Sequence, residues 1–254
     1  MKKEPNRLER AGAVGNSMLR HLRAQTLVRL LGTPFQKLFD EVGSTHRFLT
    51  EQAVVILRAD GFAETASFFE ERLGALIRGN YRADALWMNA THHYDPKTKR
   101  GLWIWPGAAD QIRNWFNLAV SLWRKGQHER SISLLGACLH LVQDCCQPYH
   151  SNCAVFNGHQ KYERWADTHK RDYAVNEGGL YRVSSKPEGW AIANAEFSSG
   201  HLRSVSVGAN GERERSTSIL LPRAMRSSAG FLLFFIEEAV GAAACSVVKK
   251  AAAG

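Results

Sequence analysis

Apolar positions along this chain recur with a helical period. Ile112, Trp115, Phe116, Ala119, Val120 and Trp123 follow the i, i+3, i+4 rule over three turns, and Gly126 closes the run. Residues 47–60, with Phe48, Leu49, Ala53 and Ile56, and residues 62–78, with Phe62, Ala66, Phe69, Leu73, Leu76 and Ile77, read the same way. Another helix is expected over 131–146, stopped by Pro148, which lacks the N–H a helix needs. A last one is expected from about Arg223 towards Val248. Strand-like alternation is nearly absent. Residues 173–218, rich in Gly, Ser and Asn, are expected as long irregular loops with one short helix at 190–195. The pattern predicts an all-α fold: a single multi-helical domain over 33–254, preceded by a basic extension over 1–32.

Composition narrows the class. With 254 residues, 44% hydrophobic and 22% charged, the chain has an ordinary globular make-up, which excludes collagen-like, disordered and coiled-coil architectures. Its most apolar stretch, 229–236, meets Glu237 and Glu238 after eight residues. A spanning helix needs about 20, so no membrane span is expected. Net charge is +9, of which residues 1–32 supply +5. Such a surface attracts phospholipid faces, nucleic acids or phosphorylated substrates without choosing among them. Residues 18–31 read either as a basic amphipathic helix at a lipid surface or as a frayed terminus. Arg20, Arg23 and Arg29 break up the apolar run that a secretory signal would need. The five cysteines are odd in number and two are adjacent, a poor disulfide framework. The compartment stays open, with composition leaning to the cytoplasm.

The chemistry concentrates in HLVQDCCQPYHSNCAVFNGHQKYERWAD, residues 140–167. His140 and Asp144 are four apart on a helix and share a face. His150 follows just beyond the Pro148 stop, and after the Asn157-Gly158 turn His159 and Glu163 are again four apart. Two His-x3-carboxylate helices with a loop histidine between them make a polydentate cage of the nitrogen and oxygen donors that suit zinc. Each residue alone has a plainer reading, as a surface histidine or an i, i+4 pair. The five together favour a metal.

The segment resembles the zinc-dependent phospholipases C of bacteria, all-α enzymes with a cluster of three zinc ions. His140, Asp144, His150, His159 and Glu163 match that family's His-x3-Asp-x5-His and His-x3-Glu pattern. THHYDP, residues 91–96, resembles the family motif with a metal-binding histidine, which falls on His92, while His93 stands in place of an aromatic and is read as packing. LIRGNYRAD ends at Asp84 as the family's acidic segment does, and STHRFL places His46 at the first histidine ligand. The resemblance runs from about residue 33 to 240. His21, His128, His169 and His201 match no motif and read as solvated.

The resemblance implies two or three zinc ions. Asp144 would bridge, beside His140, His92 and Asp84, with His46 serving the remaining inner ion; His150, His159 and Glu163 would form a separate three-ligand site with an open position, as catalytic zinc requires. It implies attack of a metal-activated water on the phosphate of a phospholipid or related diester, with Asp84 orienting that water or taking its proton. The implied partners are an anionic phosphodiester or phospholipid and a membrane surface touched by the basic N-terminus; no stable protein partner is implied. In two places the chain departs from the family. No tryptophan precedes Trp87, whereas the family's mature chain starts with one about 13 residues before its first histidine ligand, so the third ion is the least secure. Ala85 and Asn89 replace the aromatics that attract choline. Two alternatives remain: a zinc nuclease of the S1/P1 type, which shares the fold and cluster but tends to end its ligand set in Asp, and a non-catalytic zinc-stabilised helical binding protein.

Overall fold

The structure, a computed structural model, describes residues 44–84, 88–156 and 158–241, with backbone alone at 88, 89 and 210. The extension over 1–32, the region around Thr33, Ala85, Trp87, the side chain of Asn89, His21 and Cys245 lie outside the described residues. Every regular element among those described is a helix: α1 Ser44–Ala59, α2 Ala63–Glu71, α3 Leu73–Asp84, α4 Ala108–Arg124, α5 His128–Asp144, α6 His159–His169, α7 Pro187–Ser198, α8 Leu202–Val207 and α9 Glu212–Val240, with short 3-10 turns between some of them. The all-α expectation is met.

Helix α5 runs through the middle. Its last ten residues, 135–144, are all buried, the mark of a helix enclosed on every side. Helix α3 crosses it at backbone contact: a Cβ on Gly136 would lie 2.1 Å from the Leu76 carbonyl oxygen, and one on Gly79 would lie 1.9 Å from that of Ser133. Only glycine permits such an approach, and it sets the end of α3 beside the last turn of α5. On the other side α4 buries Ile112, Phe116 and Ala119. The Phe116 ring lies 5.4, 5.1 and 5.9 Å from those of Phe231, Phe234 and Phe235 on α9. Burying each ring contributes about 1.5–3 kcal/mol.

Three expectations are corrected. Residues 62–78 are not one helix. Arg72 leaves helical geometry (φ −111°) and separates α2 from α3, while its guanidinium donates to the Phe68 carbonyl that its own N–H would bond in a continuous helix. Residues 173–218 are more ordered than their composition suggests, holding α7, α8 and the start of α9. The polar residues that read as loop face inward: Asn194 donates to the Val142 carbonyl and to Ser227, and Ser198 to the Cys145 carbonyl. Finally, α9 begins eleven residues before Arg223 and stops at Val240, where Gly241 turns to φ 97°. It passes through Pro222, which has no N–H to donate to the carbonyl of Ser218, a solvent-exposed residue one turn back. By length and hydropathy α9 could cross a bilayer, but 78% of its most apolar stretch is buried in the protein. It is a core helix.

Candidate metal centre

The buried end of α5 presents His140 and Asp144 one turn apart, and Asp144 is the hub around which the other donors gather. Its Oδ2 lies 2.8 Å from His92 Nδ1 and 3.1 Å from His140 Nε2. Its Oδ1 lies 3.3 Å from His46 Nε2 and 3.9 Å from His150 Nε2. Asp84, at the end of α3, brings Oδ1 to 3.2 Å from His140 Nε2 and 3.7 Å from His92 Nδ1. Next to this group, α6 contributes His159 and Glu163, with His159 Nε2 2.8 Å from Glu163 Oε1; the 3-10 turn after Pro148 brings His150 Nε2 to 3.3 Å from the same oxygen. The fold thus brings all eight sequence-predicted donors together. They form three sets close enough to share an ion: His46, His140 and Asp144; Asp84, His92 and His140; His150, His159 and Glu163. His140 belongs to two of them, and one nitrogen lone pair serves one ion.

Charge explains why such a cluster tolerates burial. Burial alone would raise the Asp144 carboxyl, but His150, His140 and His46 outweigh it and hold it well below the usual carboxylate range. Asp84 is likewise held low against burial, chiefly by His140, and Glu163 by hydrogen bonds from His150 and His159. The reverse holds for the imidazoles: burial opposes the charge on His140, yet Asp84 and Asp144 raise it well above its ordinary value. Asp144 and Glu163 raise His150 in the same way. The cluster is a nest of carboxylates that requires positive charge.

The donor atoms fit a cation better than they fit one another. His140 Nε2 and Asp144 Oδ2 are both fully buried and only 3.1 Å apart, yet neither makes a hydrogen bond. Buried polar atoms without partners are rare and costly; atoms aimed at a common point are what a metal site shows in its absence. The supporting contacts agree. His92 Nε2 sits 3.1 Å from the Ala83 carbonyl, which fixes the proton there and leaves Nδ1 as the donor facing the two aspartates. His46 Nδ1 sits 2.8 Å from Gln143 Oε1, which turns Nε2 towards Asp144.

Several residues of the site carry no sequence signal. Gln143 reads as an ordinary helix residue, but it is buried and also bonded to Thr50 and Ser228. Asp167 accepts hydrogen bonds from Ser44 (2.5 Å), Thr45 (2.6 Å) and Lys170 (2.9 Å), tying the start of α1, just before His46, to the helix that carries Glu163. Gln147 donates to Glu163. His93 lies buried with its ring stacked on His150 at 4.7 Å; burial and its histidine neighbours push it down to about 2. Two histidines read as solvated are half-buried: His169 bonds the Trp165 carbonyl and stacks on its ring, and His201 bonds Ser216. The thiols of Cys138, Cys145 and Cys146 are buried and raised, that of Cys146 to about 12, so none is a thiolate nucleophile.

The family model described as zinc dependent phospholipase C matches residues 45–204. The chain is 31% identical over 163 residues to a phospholipase C of Clostridium haemolyticum, covering 55% of this chain and 41% of that one. It is 30% identical over 109 residues to a phospholipase C of Bacillus cereus, covering 40% and 38%. The chain therefore spans about two-fifths of the length of these curated relatives. Among solved structures, the alpha toxin from Clostridium absonum superposes with a TM-score of 0.66 at 22% identity, covering 76% of this chain and 63% of the toxin. Alpha-toxin of an avian Clostridium perfringens strain gives 0.67 at 20%, covering 77% and 64%. At that identity these two likenesses bear on the fold alone.

Proposed function

Because the chain belongs to the zinc dependent phospholipase C family, we propose that its donor cluster holds two or three zinc ions and hydrolyses a phosphodiester, on the glycerol side of the phosphate in phospholipids or related small diesters. The observation that carries this reading is Asp144: a buried carboxylate with one oxygen towards His92 and His140 and the other towards His46 and His150, the arrangement a bridging ligand needs. Zinc bound there would supply positive charge for the phosphate oxygens and make a water acidic enough to attack. The chain's own residues do the rest. Asp84, whose side chain is 36% exposed against 6% for Asp144, is the inner carboxylate that an incoming substrate can reach. Ionised by its histidine neighbours, it is suited to orient the attacking water and accept its proton at Oδ. Gln143 and the Ala83 carbonyl hold His46 and His92 in the tautomers that leave a lone pair for the metal. Three protein donors at His150, His159 and Glu163 leave a position for substrate.

The test compares zinc content and hydrolysis of phosphatidylcholine and of single-stranded DNA by the wild type and by His140→Ala/Asp144→Ala. Zinc-dependent release of diacylglycerol that vanishes in the double variant supports the reading. DNA cleavage without lipid cleavage replaces it with a nuclease. Tight zinc without any hydrolysis leaves a zinc-stabilised binding protein.

A further inference from the structure

Three large apolar side chains stand out from the rest by exposure: Ile104 at 79%, Phe156 at 72% and Trp103 at 71%, while every other exposed large apolar residue described lies below 65%. All three sit on the two loops that leave the donor cluster, one running from His92 and His93 to α4, the other from His150 to His159. These loops are joined: the Tyr94 N–H donates to the His150 carbonyl, and the Cys153 thiol lies against the Arg100 carbonyl.

The exposed pair is held out by structure. Leu102 is buried and its carbonyl accepts from the Trp105 N–H at 3.0 Å, which makes Trp103 and Ile104 the two central residues of a tight turn. Trp103 takes φ 54°, a left-handed conformation that costs a bulky residue energy. At the neck, Gly101 and Gly107 meet so closely that a Cβ on Gly101 would fall 2.6 Å from the Gly107 Cα. Just before the neck, a second turn exposes Lys97, Lys99 and Arg100. Its one acid, Asp95, spends its carboxylate on the Lys97 N–H and the Thr98 hydroxyl.

We propose that this double loop, with Phe156, docks the protein on a negatively charged lipid bilayer. Cations flanking a projecting Trp-Ile tip match a bilayer twice over: the apolar pair enters the headgroup boundary, where tryptophan is favoured, and the basic residues meet anionic lipid. A protein partner fits less well, because lysine is depleted in protein interfaces and two apolar side chains with one neighbour make too small a patch. The inference deepens the hydrolase reading, since docking here turns the donor cluster towards lipid, but its test is independent of hydrolysis.

The experiment uses the zinc-loaded full chain and vesicles of phosphatidylglycerol mixed with phosphatidylcholine, read by co-sedimentation and by quenching of tryptophan fluorescence with brominated lipid before turnover. Trp103→Ser/Ile104→Ser is expected to weaken partitioning about tenfold or more. Lys97→Glu/Lys99→Glu is expected to weaken it about tenfold on anionic vesicles and little on pure phosphatidylcholine. Both variants should keep wild-type melting and wild-type hydrolysis of a water-soluble short-chain diester. Partitioning of both within about twofold of wild type overturns the docking surface. Failure of the wild type to cleave any diester, with the binding losses intact, overturns the hydrolase reading and leaves docking standing.

Discussion

The two halves of the donor cluster are built in opposite ways. The inner half, around Asp144, draws His46 from α1, Asp84 from α3, His92 from the loop before α4 and His140 from α5. It is assembled by long-range packing and its imidazoles at 92 and 140 are about 1% exposed. The outer half, His150, His159 and Glu163, comes from fourteen consecutive residues. The inner half therefore depends on the whole fold, while the outer half depends on one loop and one helix start. Damage to the first should spread; damage to the second should stay local.

The largest expected effect comes from removing the hub. Asp144→Ala leaves the buried His92 and His140 with Asp84 as their one neighbouring carboxylate, so the metal-free protein should lose about 3–5 kcal/mol in denaturant unfolding. Hydrolysis should drop by roughly 10²–10³-fold or more. His159→Ala should instead lower zinc content by one ion, leave inner binding in place and move stability little. Equal loss of all zinc in both variants would erase the contrast between the halves.

Next in size is the glycine crossing. Gly136→Ala puts a methyl against the Leu76 carbonyl and should cost about 1–3 kcal/mol of stability. It should also weaken inner-site zinc, because the crossing sets Asp84 beside His140. A variant as stable as wild type would show that the helices part freely.

Smaller effects are expected from the supporting shell. Gln143→Leu and Asp167→Asn should each weaken zinc binding through His46, by about 10–100-fold for Gln143 and less for the half-exposed Asp167, as measured by competition with a chelator. The outer site should be untouched. Smallest is the pH effect. His140 and His150 are raised above their usual 6.5, so in the metal-free protein their stabilising protonation is complete below that value and fades as pH rises through the folded-state value. Zinc requires the neutral rings, so its apparent affinity should climb with pH over that window and its binding should release protons in a weakly buffered titration. Affinity independent of pH would contradict the assigned donors.

The same contrast decides what the sequence could disclose. The outer donors and the His140–Asp144 pair lie within one segment whose i, i+4 spacing and Pro148 stop can be read directly. His46, Asp84 and His92 are separated by long stretches of chain, and only likeness to a family drew attention to them. Gln143, Gln147 and Asp167 lie in or beside the stretches that the likeness covers, but their roles could not be read there, because an amide or carboxylate that supports a ligand looks like any other polar helix residue until the fold is known. The short helix expected at 190–195 is present as part of α7, but its full extent, α8 and the early start of α9 were hidden for a related reason. Asn194 and Ser198 weaken the apolar pattern but are core residues satisfied by neighbouring helices.

A crystal structure of the zinc-loaded protein, with anomalous scattering recorded at the zinc edge, would show whether the eight donors share zinc around Asp144. Two or three peaks are predicted, one bounded by His150, His159 and Glu163 and at least one against Asp144 within reach of His140 or His46. Zinc found elsewhere, or Asp144 bonded only to protonated histidines in a zinc-saturated crystal, would rule out a metal centre at these residues.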